Sequence, residues 1–173
     1  MRKRTTSRLS NIYDACFLKD GRTVFGMENG KIRITNAYHW LGKASVQLFD
    51  YDEPVYKVVP SRDGTRLFAN YDEFISIVDM RKPEQCGELT RPFDADVISW
   101  TDCQMAVSAD GLLLAATKKN NIYIWYLPER KVIQSFRIRK QDIIREIHFS
   151  AEGSLLCACS DLGFHMWVLE REM

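Results

Sequence analysis

Side chains that could do chemistry are thinly spread along these 173 residues. Acid–base and nucleophilic catalysis need a histidine, carboxylate or thiol held against a partner group. The histidines are His39, His148 and His165, and no nucleophile elbow, Gly-rich phosphate loop or His-Glu metal helix accompanies them. His148 and His165 fall inside strand-like segments, where a core or edge role is the simpler reading. The five cysteines, Cys16, Cys86, Cys103, Cys157 and Cys159, are odd in number and lack CxxC spacing, so they read as reduced thiols in or beside strands. Asp50, Asp52 and Glu53 could in principle hold a cation, but no Gly-bearing Ca²⁺-loop pattern surrounds them and a solvated loop is expected. The residues point away from an enzyme and toward no metal and no cofactor.

Charge leaves surface recognition as the remaining chemistry. With 46% hydrophobic and 27% charged residues and a net charge of +1, the chain has no bulk attraction for nucleic acid or membrane. It contains no apolar run near the roughly 18 residues of a membrane span. The opening MRKRTTSRLS lacks the apolar centre of a secretory signal, so residues 1–10 read as a basic tail and the chain as intracellular, cytoplasmic or nuclear or both. The densest basic segment is RKVIQSFRIRK, residues 130–140. Strand alternation there puts Lys131, Arg137 and Arg139 on one side and Val132, Phe136 and Ile138 on the other. Such a stripe on an outer strand suits an acidic protein or a nucleic-acid backbone, or it is a solvated edge that discourages aggregation.

The elements that would position these groups are short strands. In SADGLLLAATKKNNIYIWYL, residues 108–127, an Asp-Gly turn precedes one apolar run, and a polar turn leads to a second run alternating β-branched and aromatic residues. The signature recurs. Asp20-Gly21, Asp63-Gly64, Asp110-Gly111 and Glu152-Gly153 lie 43, 47 and 42 residues apart. Twelve residues beyond each acidic residue stand Ile32, Ile75, Ile122 and Phe164, opening the runs IRITNA, ISIVDM, IYIWYL and FHMWVL. A strand-built repeat of this period indicates propeller blades. It predicts four sheets over residues 11–169, with hairpins centred near Asn29, Asp72, Asn120 and Leu162. Apolar residues on both strand faces, Ile122 and Ile124 against Tyr123 and Trp125, fit blades stacked between neighbours better than a two-sheet sandwich.

The unit resembles that of the WD-repeat (β-transducin-like) propellers: strand, acidic-Gly turn, strand, Asp-containing turn, strand ending in Trp-Asp. The Trp position holds Thr35, Val78, Trp125 and Trp167; the following Asp position holds Asn36, Asp79, Tyr126 and Val168. The turn position holds Asn29, Asp72, Lys119 and Asp161. The family's Gly-His pair is missing throughout. The resemblance implies an all-β chain of four blades, at about 11–50, 51–96, 97–140 and 141–173, with Trp125 and Trp167 both largely buried. After FHMWVLE only Arg171, Glu172 and Met173 remain, so an outer strand for the last blade is absent unless Thr5 to Ser10 supply it. An open or partial propeller is expected, completed by a second copy, by a partner's blades or by a further segment.

In function, the resemblance implies a non-catalytic protein-interaction scaffold. One alternative rests on Val78-Asp79-Met80-Arg81, similar to the Trp-Asp-x-Arg signature of receptors that dock on the adaptor of cullin-type ubiquitin ligases. Asp79 and Arg81 would then make the contact. The other alternative is a binder of acidic protein or nucleic acid through Lys131, Arg137 and Arg139.

Overall fold

The recurrent acidic-Gly pairs are places where the backbone must reverse within four residues. In the computed structural model, which describes residues 11–36, 46–50, 52–71, 74–83, 86–90, 103–118 and 120–169, each pair does so. The tail 1–10, His39, Asp72 and Lys119 lie outside the described residues. Gly21, Gly64, Gly111 and Gly153 adopt φ of 83°, 74°, 70° and 67°, a left-handed region open to glycine without steric cost. In two of the turns a serine two residues before the acid completes a small network. Ser61 donates to Asp63 Oδ1 at 2.6 Å and accepts from the Arg66 N–H at 3.0 Å. Ser108 repeats this with Asp110 at 2.6 Å and Leu113 at 2.9 Å.

Between the turns, the described residues form fifteen strands in four antiparallel sheets. The first sheet is β1 (Ile12–Phe17), β2 (Arg22–Met27), β3 (Lys31–Asn36) and β4 (Val46–Asp50). The second is β5 (Lys57–Pro60), β6 (Arg66–Asn70), β7 (Phe74–Asp79) and β8 (Cys86–Thr90). The third is β9 (Met105–Val107), β10 (Leu113–Lys118), β11 (Asn121–Tyr126) and β12 (Lys131–Arg137). The fourth has three strands, β13 (Ile144–Phe149), β14 (Leu155–Ser160) and β15 (Gly163–Val168). Each strand hydrogen-bonds to its sequence neighbours within its sheet. The described residues contain no helix.

Three apolar clusters lie between consecutive sheets, and strand alternation sorts residues among them. Ile32 and Ile34 of β3 pack with Val55, in the segment leading into β5, and with Val58, Leu67 and Val78 of the second sheet. Ile75 joins Trp125, Leu114 and Met105 of the third. Ile122 and Ile124 join Ile144, Ile147 and Leu156 of the fourth. The residue twelve after the acid therefore faces the following sheet, and the residue fifteen after it faces the preceding one. Close approach is built in at Gly26, where a Cβ would lie 2.8 Å from Val55 Cγ1. Asp14 adds a polar tie, accepting the Val58 N–H at 2.9 Å with Lys57 Nζ 3.6 Å away.

One expectation needs correction. Trp125 is 2% exposed, but Trp167 is only half-buried. Its ring stacks on Phe136 at 5.1 Å, while among the described residues β15 is the edge of its sheet and no fourth strand pairs with it. Phe164, the counterpart of Ile32, Ile75 and Ile122, is 62% exposed because the described residues supply no following sheet.

Candidate functional site

Three places collect groups that could recognise something: a polar knot in the fourth sheet, that sheet's outer face, and a cleft between the second and third sheets. The knot superficially resembles a hydrolase triad. The Ser160 hydroxyl donates to Asp142 Oδ2 at 2.6 Å and lies 3.3 Å from His165 Nε2. A relay needs the acid on Nδ1 and the hydroxyl on Nε2. Here Asp142 Oδ2, at 3.5 Å, approaches the same Nε2 as the hydroxyl. Asp142 also accepts the Leu162 N–H at 3.1 Å, which fixes the β14–β15 turn. The knot is a structural clasp. Nothing in the sequence joined Asp142 to Ser160, eighteen positions away.

These carboxylates set the pH response. Burial works to raise the Asp142 pKa, yet Ser160, the Leu162 N–H and His165 outweigh it and hold the group below its ordinary range. Hydrogen bonds from the Ser61 hydroxyl and the Thr65 amide and hydroxyl hold Asp63 down to about 2. Arg145, gripping Asp161 through two bonds of 2.6 and 2.8 Å, lowers that carboxyl. A carboxyl whose pKa is depressed by folding stabilises the fold above its unfolded value, near 3.9, and that contribution is lost as pH falls through the folded value. The melting temperature should therefore hold steady from pH 6 to about 4 and drop between about 4 and 2. Asp63→Asn should flatten part of that drop, and a melting temperature unchanged across the acid range would refute the assignment.

The fourth sheet's outer face is apolar. Phe164, Met166 and Val168 are 62%, 57% and 72% exposed, with Cys157 and Cys159 on the adjoining strand. Blades one to three bury the counterparts of Phe164, which are Ile32, Ile75 and Ile122. At the opposite end of the row, Phe17 on β1 is 74% exposed.

The cleft, of about 410 Å³, is lined by Arg66, Ile77, Asp79 and Gly87 from the second sheet and by Leu127, Pro128 and Arg130 from the turn between β11 and β12. Asp79 is thus placed at a site with two arginines the sequence reading passed over. The overlooked signal was Pro128, which fixes the turn and leaves Arg130 in a position that favours glycine. Asp79 Oδ1 accepts the Arg81 N–H at 2.8 Å, so the carboxylate caps its own turn and Arg81 projects into solvent at the same end of the sheet.

The structure does not gather the basic stripe. Lys131, Arg137 and Arg139 are all exposed, but Lys131 pairs with Tyr126 and Arg137 with Asn121, at opposite ends of β11. Six residues of strand separate them by about 20 Å. Glu53 and Asp52 join no metal-sized group, and among the described residues no three His, Cys, Asp or Glu converge on one. Burial first, and then the Asp14 charge, push the Cys16 thiol up to about 12, so it stays protonated and unreactive.

No protein-family model matches the chain, and no curated protein matches it in sequence. Among solved structures it is similar to the β-propeller domain of Cps50 (Swd1) from Myceliophteria thermophila, with a TM-score of 0.72 and 18% identity over 92% of this chain. The match covers 54% of that domain, so the chain spans about half its length. The fold is an all-β propeller, open or partial, since among the described residues the four sheets do not close a ring.

Proposed function

We propose that the chain is a non-catalytic scaffold of the WD-repeat type, and that its fourth blade receives a further propeller blade. The observation that carries this is positional. Ile32, Ile75 and Ile122 each lie beneath the next blade, while Phe164, Met166 and Val168 offer the same face uncovered. Contiguous apolar surface of this kind marks interaction sites in folded proteins, and the neighbouring edge of β15 is free to accept a strand among the described residues.

The test is light scattering on the chain, with affinity capture of partners, comparing it with Phe164→Glu/Met166→Glu. The parent should associate with itself or with captured protein, and the double variant should lose that association with its melting temperature changed by less than about 2 °C. A stable monomer of about 20 kDa whose captured partners are unchanged by the variant would sink the proposal. Adaptor docking through Asp79 and Arg81 is a narrower reading, favoured by the solvent-facing Arg81 on a turn that Asp79 fixes. It predicts that Arg81→Ala alone abolishes recovery of a ligase adaptor. With Lys131 set apart from Arg137 and Arg139, the basic rim offers no concentrated phosphate-binding surface.

A further inference from the structure

Among the described residues, Arg130 is the one non-glycine residue with a left-handed backbone, at φ 53°. It ends the turn Leu127-Pro128-Glu129-Arg130, closed by the Arg130 N–H donating to the Leu127 carbonyl at 3.3 Å. Pro128 has the fixed φ favoured at the second position of such turns. The last position suits glycine or asparagine, because a Cβ crowds the carbonyl there. An arginine kept in that strained place invites a functional explanation.

Its side chain supplies one. The guanidinium lies against Gly87 of β8, where a Cβ would come within 2.6 Å of Nη2 and 2.8 Å of Cζ, so a side chain at 87 would displace it. Across the cleft stands Arg66, whose Nη1 reaches the Gly111 carbonyl only at 3.4 Å. Among the described residues neither arginine has a carboxylate within ion-pair distance, although Arg66 acts at longer range on Asp63. Ile77, Leu127 and Pro128 give the cleft an apolar lining, and Asp79 contributes a single carboxylate.

We infer that this cleft binds an acidic peptide segment of a partner protein, with an Asp or Glu carboxylate between Arg66 and Arg130; the inference rests on the reading of the chain as a protein-binding scaffold. Guanidinium groups grip carboxylates through paired, charge-assisted bonds. An apolar residue beside the acid lies on Ile77, Leu127 and Pro128, and Asp79 accepts a peptide N–H. The volume of about 410 Å³ falls in the roughly 300–1,000 Å³ range of small binding pockets. Asp79 leaves the cleft a net charge near +1, which matches one carboxylate and disfavours a dianionic phosphate or a nucleic-acid backbone.

A random heptapeptide library displayed on phage, selected against the immobilised full chain, tests this. The enriched peptides should carry Asp or Glu beside an apolar residue. Their affinity should fall at least tenfold when that acid becomes its amide, and again on Arg130→Gly or Arg66→Gln. Arg130→Gly should not lower the melting temperature, since glycine suits the left-handed position; a purely structural arginine would lower it. Enrichment of peptides without an acid, no enrichment, equal binding to Arg66→Gln/Arg130→Gly, or tighter binding of a phosphoserine version of the selected peptide would each overturn the assignment. Neutral peptides bound elsewhere would overturn the cleft while leaving the scaffold standing, whereas the blade-four variant bears on the scaffold alone.

Discussion

Trp125→Ala will destabilise the chain by about 3–5 kcal/mol in a denaturant titration, the usual range for removing a fully buried large aromatic side chain. Trp125 is among the largest fully buried side chains, and it packs in the cluster that joins the second sheet to the third. Its indole N–H has no acceptor among the described residues, so its contribution is packing rather than hydrogen bonding. Trp125→Phe should accordingly recover most of the loss. Trp167→Ala, at the equivalent repeat position, should cost clearly less because that side chain is only half-buried. Equal losses at the two positions would mean that blade four is covered as fully as blade three.

A second pair isolates the effect of the missing neighbour. Ile122→Ala should cost about 2–5 kcal/mol, the range for a large-to-small change in a packed core, because Ile122 is wholly buried between the third and fourth sheets. Phe164→Ala, the same change of role one repeat later, should stay within about 0.5 kcal/mol, as exposed surface substitutions do. The comparison is made on dilute protein, where self-association does not contribute. A loss at Phe164 matching that at Ile122 would show the outer face of blade four to be buried.

The blades were legible in the sequence because a period-two pattern and a fixed turn chemistry act locally. The acidic-Gly pairs located the turn between the first two strands of every sheet, and the twelve-residue offset located the apolar face of β3, β7, β11 and β15. Burial of Trp167 was not legible, since it depends on whether a strand from elsewhere pairs with β15. Nor was the clasp of Asp142, Ser160 and His165, whose members meet only after two strands have paired. The cleft was half legible: Asp79 stood out through the Val-Asp-x-Arg segment, but Arg66 and Gly87 meet Arg130 only through the packing of one sheet on the next. Lys131, Arg137 and Arg139 looked like one stripe because alternation records the side of a strand and says nothing of distance along it.

Since every strand pairs with its neighbour in the sequence, each sheet can close from loops of a few residues, and only the apolar clusters couple one sheet to the next. Short-range pairing lowers the entropy lost before contacts form, which favours rapid formation of individual blades. Cooperativity then resembles that of a linear array, in which each unit's stability is its own plus that of its interfaces. Blade two, clasped on both sides, should protect its amides from hydrogen exchange longest, and blade four, with one neighbour and three strands, should open first. The surface proposed to receive a further blade is therefore also the one nearest to local unfolding, so a ligand that covers it would slow exchange across blade four while leaving blade two almost unchanged.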